Sequence, residues 1–168
     1  LTREEEKNWF FRLSSFQQDL EKLYQERPSF VEPDSRRNEA LAFIRQGLQD
    51  VSLSRRRLKW GVPVPWDTDQ VIYVWFDAPI GYIGSFEALR ARTGISFADY
   101  WESETATELH HFMGKDISYF HTLFWPAVLY GARLRRPTAV HVHGFLTIDG
   151  QKMSKSRGTF ITARAWLD

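Results

Sequence analysis

Apolar residues follow two different patterns along the chain, and the change falls near residue 58. Before that point they recur at helical spacing, as in residues 37–48, where Leu41, Ile44 and Leu48 would share one face of a helix. The stretch that precedes this helix is a connector punctuated by proline. The first 58 residues are therefore predicted to form a mainly helical segment that serves packing.

From residue 60 onward, predicted strands alternate with predicted helices. Residues 71–77 are β-branched and aromatic without polar alternation, which is typical of a strand buried on both faces of a parallel sheet. Two more strands are predicted at 108–116 and 139–145, with helices at 78–92 and 117–132 between the three strands. This order implies right-handed crossovers and an α/β fold, the second half of a doubly wound Rossmann-type parallel sheet preceded by the helical connective segment.

Ligands of doubly wound sheets bind beyond the carboxyl ends of the strands. Three places meet that description: the turn after Trp75, the turn at Gly114–Asp116, and the chain after His143. Asp116 also stands where the next helix would begin, so it suits both a capping role and a hydrogen bond to ribose hydroxyls. The three strand ends are predicted to converge on one site.

The helix predicted at 117–132 carries two aromatic stripes. One stripe comprises Ile117, His121 and Trp125, and its neighbour comprises Phe120 and Phe124. One of these faces must pack in the core, and the residues alone leave open whether His121 is a core group or a ligand. Pro126 is predicted to remove a helical hydrogen bond and to kink the helix.

Charge and composition restrict the classes of function. The 168 residues include 22 Lys and Arg against 21 Asp and Glu, so the net charge of +1 argues against binding nucleic acid through bulk charge. An aromatic content of 15% argues against disorder, and the absence of Cys excludes disulfides and thiolate zinc sites. No apolar run approaches membrane-spanning length. Positive charge must therefore act locally or not at all.

Local positive charge is concentrated in one short loop, GQKMSKSRGT, at residues 150–159. Lys152, Lys155 and Arg157 lie within six positions, and a glycine stands on each side of them. A given pentapeptide such as KMSKS occurs by chance in roughly one in ten thousand chains of this length or fewer. The loop follows the third predicted strand and is the most specific signal in the sequence.

This pentapeptide resembles the signature of the class I aminoacyl-tRNA synthetases. The resemblance extends outward through YVWFDAPIGYIGSF, HHFMGKDISYFHTLFWPAVL and VHVHGFLTIDGQKMSKSRGTFI, which are similar to successive blocks of the methionyl-tRNA synthetase family. It covers residues 54–168, and NWFFRLSSFQ and NEALAFIRQGLQDVSLSR resemble the stretch just upstream. It implies that residues 1–58 are the tail of a connective, inserted domain and that residues 59–168 are the second half of the catalytic domain.

The resemblance implies an activity, substrates and site residues. Methionine would be activated with ATP to methionyl-adenylate and transferred to tRNA(Met), in the cytoplasm and away from membranes, with ATP and Mg²⁺ as substrate. Lys152 and Lys155 would neutralise charge on the departing pyrophosphate, while Gly150 and Gly158 let the loop close and Met153 packs it. The ATP site would comprise Gly114, Asp116, Met153, Lys155 and Arg55. The methionine pocket would comprise Trp75, Ala78, Pro79, Tyr82, Ile117, His121 and Trp125.

The sequence departs from the family at one signature. The family's His-X-Gly-His motif is absent, since HVHG at 141–144 lacks the final His. The chain is therefore expected to be a fragment, inactive alone, with no metal site of its own; a zinc knuckle and the anticodon-reading domain would lie in other parts of the longer enzyme. Two alternatives stay open: another class I synthetase or nucleotidyl transferase, and a non-enzymatic nucleotide-binding module.

Overall fold

The computed structural model of the chain describes residues 5–102, 105–148, 150–154, 156 and 158–167. In this part of the chain the helices are α1 (Gln17–Glu26), α2 (Asp34–Gln46), α3 (Val74–Thr93), α4 (Phe97–Trp101), α5 (Trp125–Gly131) and α6 (Ala163–Leu167). The strands are β1 (Phe10–Phe11), β2 (Val31–Glu32), β3 (Val51–Ser52), β4 (Ser54–Arg55), β5 (Pro63–Val64), β6 (Asp67–Ile72), β7 (His110–Gly114), β8 (Ala139–His143), β9 (Thr147–Ile148) and β10 (Gln151–Lys152). None of the described helices is both long and apolar enough to cross a membrane.

A three-stranded parallel sheet, in the order β2–β8–β7, organises the fold. The register places Val31 beside Val140, and Gly114 beside His143 at the far end. The strands predicted at 108–116 and 139–145 are confirmed with shorter bounds. The third member of the sheet was not predicted, because β2 has only two residues and lies inside the region of helical pattern. The chain therefore has an α/β fold built on a parallel sheet.

One hydrophobic core packs against this sheet and draws on both halves of the sequence. Leu23 and Phe30 from the first half and Leu123 and Val140 from the second are fully buried in it. The hydroxyl of Tyr24 on α1 donates a 3.0 Å hydrogen bond to the backbone carbonyl of Thr122, which joins the two halves by a polar contact as well. The division at residue 58 stays a prediction; the structure adds that the two regions share a core.

Helix α2 confirms the helix predicted near residues 37–48. Ala40 and Ile44 are buried on its inner face, and the helix ends at Gly47. Gly47 has φ +88°, a left-handed value that glycine adopts without steric cost, so the residue stops the helix.

The strand predicted at 71–77 is wrong in its bounds and in its surroundings. Strand β6 ends at Ile72 and belongs to a separate antiparallel sheet, in the order β4–β6–β5, in which Val64 and Val71 are buried while Thr68 and Asp69 are exposed. Helix α3 begins at Val74, and Asp77 lies in its first turn, where a carboxylate is favoured by the helix dipole. A run of β-branched and aromatic residues is thus divided between a strand and a helix, which β-propensity alone does not resolve.

The helix predicted at 117–132 is confirmed as an uninterrupted helical run over residues 115–131, which changes helix type along its length. A 3₁₀ turn spans Lys115–Ile117, a π-helical segment spans Phe120–Phe124, and α5 follows. Pro126 occupies the first turn of α5, where its missing N–H costs least, and the π-helical segment directly before it makes the helix irregular at this point. The capping role predicted for Asp116 is wrong, since Gly114 is the N-cap and makes no side-chain cap.

Candidate functional site

The carboxyl ends of β7 and β8 lie side by side, as expected of neighbouring parallel strands. Gly114 lies beside His143, and a Cβ atom at Gly114 would meet Cε1 of His143 at an ordinary contact distance of 3.7 Å. The chain continues from Gly114 into the 3₁₀ turn, where Asp116 is exposed to solvent. Only two of the three predicted strand ends converge here, because β6 is not part of the parallel sheet.

The cationic loop begins as a hairpin directly beyond β8. Strands β9 and β10 pair antiparallel, and Gly150 turns the chain between them with φ +75°. The backbone N–H of Met153 donates to the carbonyl of Leu146 over 2.9 Å and closes the base of the hairpin. Met153 is partly buried, which agrees with a packing role. Two residues of the predicted site loop, Lys155 and Arg157, lie outside the described part of the chain.

The loop is fastened to the end of β7 through the ring of Phe145. Nζ of Lys152 lies 3.6 Å from the centroid of this ring, and Nζ of Lys115 lies 4.4 Å from it. Both are cation–π contacts, which hold ammonium groups against an aromatic face. Two positive charges are thereby placed against one ring, next to the turn that carries Asp116. A polyanionic ligand would offset their mutual repulsion.

A second part of the site lies between α3 and the π-helical segment. The hydroxyl of Tyr82 lies 2.8 Å from Nε2 of His121, and Nδ1 of His121 lies 3.1 Å from the carbonyl of Ile117. Since a carbonyl can only accept, Nδ1 carries the proton and Nε2 accepts from Tyr82. The imidazole is therefore fixed as one neutral tautomer.

Burial keeps Tyr82, His111 and His121 uncharged, and these three side chains are called the cluster below. Burial lowers the pKa of His121, although the hydrogen bond to Ile117 opposes the shift. His111, whose ring centroid is 5.6 Å from that of His121, has its pKa lowered to about 4 by burial and by the neighbouring His121. Burial also raises the pKa of the Tyr82 hydroxyl. At neutral pH the cluster therefore presents neutral polar atoms among aromatic rings, an environment for an uncharged side chain.

Aromatic rings surround the Tyr82–His121 pair. Trp125 is 1% exposed, its ring centroid lies 6.3 Å from that of Tyr82, and it also packs with Trp101 in a small hydrophobic cluster. Trp75 stacks on Phe120 with centroids 4.5 Å apart and planes at 10°. Trp125 thus belongs to the core and to the cluster at once, so the two interpretations of its stripe are compatible.

The remaining predicted residues differ in how the structure places them. Pro79 is buried and Ala78 exposed on the first turns of α3, and Ile117 reaches the cluster through its carbonyl. Arg55 is engaged elsewhere: its guanidinium lies 3.7 Å from the centroid of Tyr73 and donates to Ser52 Oγ and to the carbonyl of Ser54. Its assignment to the ATP site therefore has no support from its contacts.

Sequence reasoning missed three residues that the structure brings to the site, namely His111, Lys115 and Phe145. Side chains of β7 alternate between exposed and buried, and His111 falls on the buried face. The period of two along a strand is a signal that could have selected it. Lys115 stands between two residues that were selected. Phe145 carries no local signal, because its role comes from contacts with Lys115 in the turn after β7 and with Lys152 in the hairpin that follows it. Within the described ranges, no group of three or more His, Asp or Glu side chains is placed to hold a metal ion.

Known proteins resemble this chain at the levels of family, sequence and structure. The family model described as tRNA synthetases class I (M) matches residues 2–168. The methionine–tRNA ligase of Nitrosomonas europaea is 56% identical over 121 residues, which are 72% of this chain and 17% of that protein. The methionine–tRNA ligase of a Synechocystis strain is 48% identical over 159 residues, 94% of this chain and 29% of that protein.

The fold also matches a solved structure. A crystal structure of Mycobacterium tuberculosis methionyl-tRNA synthetase, bound by methionyl-adenylate, superposes with a TM-score of 0.76 and 39% identity over 95% of this chain and 30% of that chain. The 168 residues therefore span less than a third of the length of each of these relatives.

Proposed function

This chain belongs to the family of class I tRNA synthetases (M), and from that premise we propose that it forms part of the catalytic domain of a methionine–tRNA ligase. In this proposal residues 59–168 are the second half of a doubly wound nucleotide-binding fold, and residues 1–58 are the end of a connective domain. The longer enzyme activates methionine with ATP and Mg²⁺ and transfers it to tRNA(Met) in the cytoplasm. Since the relatives are more than three times longer, the 168 residues alone are expected to be inactive.

The methionine side chain is assigned to the space around Tyr82, His121 and Trp125. The observation that carries the proposal is the Tyr82–His121 hydrogen bond of 2.8 Å, set among aromatic rings and held neutral by burial. A thioether is polarisable and uncharged, and it gains from contact with aromatic faces and edges. The stacked rings of Trp75 and Phe120, with Ala78, Pro79 and Ile117, complete the proposed pocket.

ATP is assigned to the ends of β7 and β8. Gly114 allows close approach of the ligand, and the exposed carboxylate of Asp116 accepts from ribose hydroxyls. The methionine carboxylate attacks the α-phosphorus of ATP, a new P–O bond forms, and the bond to pyrophosphate breaks. Lys152 and Lys155 neutralise the charge that develops on the leaving pyrophosphate.

The cation–π contacts at Phe145 support this arrangement and add Lys115 to it. The fold itself places the ammonium groups of Lys152 and Lys115 against one ring. The two positive charges are therefore already in position when ATP binds. Met153 packs the loop. Arg55, on β4, keeps its place in the proposal as an ATP-site residue from the family resemblance alone, since its donors are engaged with Ser52 and Ser54.

A chimeric ligase tests the proposal directly. In this chimera the present sequence replaces the matching 159-residue segment of the Synechocystis methionine–tRNA ligase. We expect it to charge tRNA(Met) with labelled methionine, whereas the 168-residue chain alone stays at background. A chimera that folds, binds tRNA and charges no methionine would overturn the proposal.

A further inference from the structure

A large cavity lies at the opposite end of the parallel sheet from the candidate site. It has a volume of about 960 Å³ and is lined by the segments 26–29, 105–108 and 130–138. These segments come just before β2, β7 and β8, so they meet at the amino-terminal edge of the three strands. Because the strands are parallel, this edge is remote from the carboxyl ends that carry Gly114 and His143.

The lining of the cavity is positively charged. It contains the four arginines Arg27, Arg133, Arg135 and Arg136 against the two glutamates Glu26 and Glu108. The chain as a whole has a net charge of only +1, so this is a local concentration of positive charge. A concave surface with one prevailing sign of charge focuses the electrostatic field and concentrates ions of the opposite sign.

Arg135 is a structural member of this group. Its guanidinium donates to the carbonyls of Glu102, Thr105 and Thr107, and so ties the loop before β7 to the loop before β8. With its terminal nitrogens engaged in this way, Arg135 shapes the rim of the cavity and is not a candidate for holding a ligand.

Arg27 and Arg136 are placed differently. The guanidinium of Arg136 lies 4.9 Å from the ring centroid of Tyr130, and Arg27 makes one long contact, 3.4 Å, from Nη1 to the carbonyl of Pro137. Burial and the nearby charge of Arg27 lower the pKa of Arg136, while Asp19 and Glu26 oppose the shift. Within the described part of the chain neither arginine forms an ion pair with a carboxylate. The positive charges of Arg27 and Arg136 therefore converge on the cavity, and no carboxylate of the described residues pairs directly with either of them.

We propose that this cavity is a second ligand site, which binds a phosphate group between Arg27 and Arg136. A guanidinium presents planar, paired donors that match the oxygens of a phosphate, and a phosphate between the two would turn their repulsion into two charge-assisted contacts. Tyr130 holds one guanidinium in place, which reduces the entropy lost on binding. The site is independent of the proposed ligase activity. Its phosphate comes either from a free anion or from an RNA backbone.

Titration of the ¹⁵N-labelled 168-residue chain with inorganic phosphate tests the site, read by amide chemical shifts. We expect saturable shifts at Ser29, Tyr130 and Thr138, which line the cavity. Arg27→Gln, at an exposed position that tolerates the change, weakens the apparent affinity about tenfold, and the double variant Arg27→Gln/Arg136→Gln abolishes the shifts. Arg90→Gln, an exposed arginine paired with Glu87 on α3, is the matched control and leaves them unchanged.

Two further titrations show whether phosphate binds at the cavity itself and whether the phosphate comes from RNA. Lys152→Gln disables the cationic loop, the other anion-binding surface, and must leave the shifts in the cavity intact. A short single-stranded RNA that shifts the same amides, with an affinity that falls steeply with salt, identifies RNA as the source of the phosphate, whereas RNA without effect identifies a free anion. Absence of saturable phosphate shifts in the cavity, or shifts that persist in the double variant, would overturn the site.

Discussion

Tyr82 and His121 are 39 positions apart in sequence, yet the tyrosine hydroxyl and Nε2 of the histidine lie 2.8 Å apart. The pair joins α3 to the π-helical segment that follows β7. Because Nδ1 of His121 is committed to the Ile117 carbonyl and Nε2 to the tyrosine, the Tyr82 oxygen is the polar atom of the pair that is left to face a ligand. The pair thus offers weak, neutral polarity in an aromatic setting.

Tyr82→Phe in the chimeric ligase should raise the KM for methionine by ~5- to 30-fold, the equivalent of about 1–2 kcal/mol, with little change in the KM for ATP. The change removes one hydroxyl and leaves Nε2 of His121 without its donor. Tyr100→Phe, an exposed tyrosine on α4, is the matched control and should change neither constant. Equal effects on methionine and ATP would remove Tyr82 from the methionine subsite. Steady-state pyrophosphate exchange measures both constants.

Lys152→Ala in the chimera should slow adenylate formation by ~10²-fold with almost no effect on methionine affinity. This pattern is expected when a contact to the charge developing in the transition state is lost. The same outcome is predicted for Lys155→Ala, a position outside the described residues. Single-turnover formation of methionyl-adenylate, followed by quenched flow, separates the rate from the affinity. Unchanged activation rates would contradict the role of the loop.

Alanine substitutions at Trp75 and Trp125 should affect methionine binding and folding stability to different degrees. Trp125 is 1% exposed, so Trp125→Ala in the 168-residue chain should lower the free energy of unfolding by about 3–5 kcal/mol. Trp75 is only partly buried and stacks on Phe120, so Trp75→Ala should cost less stability and, in the chimera, raise the KM for methionine. Urea denaturation measures the free energy of unfolding, and the kinetics of ATP–pyrophosphate exchange give the KM for methionine. If Trp75→Ala leaves methionine binding intact, Trp75 has no place in the pocket.

Folding stability should fall on acidification between pH 6.5 and about pH 4 because of His111. The ordinary pKa of 6.5 applies in the unfolded chain, and burial lowers the folded value to about 4. The unfolded state therefore binds a proton first, so stability is full above pH 6.5 and is lost as the pH falls, by on the order of 3 kcal/mol. His121 contributes with the same sign.

His111→Leu should flatten that pH dependence, as measured by urea denaturation at pH 7 and pH 4.5. Met113→Ala is the matched control, since Met113 is buried on the same strand and carries no titratable group. It should lower stability equally at both pH values. A slope as steep in His111→Leu as in the parent chain would assign the acid sensitivity to other groups.

The elements that could be predicted from the sequence are those with a recognisable local pattern of residues. Strands β7 and β8 follow from short apolar runs between turn residues, and the position of the cationic loop follows from its pentapeptide. The start of α3 at Val74 did not follow, because valine and tryptophan favour a strand unless tertiary packing overrides them. The π-helical segment at Phe120–Phe124 did not follow either, because the apolar spacing of this stretch suits an ordinary α-helix equally well.

The candidate site divides in the same way. His121 and Trp125 were selected by their helical spacing and their family resemblance, and the structure brings both to Tyr82. Phe145 could not be selected, because its importance lies in receiving Lys115 and Lys152 from two different segments. Contacts of that kind depend on how segments meet in space, which a pattern along the chain does not record.

The most direct test of the proposed function is amino-acid-dependent ATP–pyrophosphate exchange by the chimeric ligase. The reaction reports the activation step, to which the residues of this chain are assigned. We predict exchange with methionine and measurable exchange with the near-isosteres selenomethionine, ethionine and norleucine, because one methylene in an apolar pocket is worth only ~1–3 kcal/mol. We predict no exchange above background with leucine, because its side chain branches too close to the backbone to fit the pocket. Exchange that depends on a different amino acid, or that is equally fast with leucine, would contradict the proposed function.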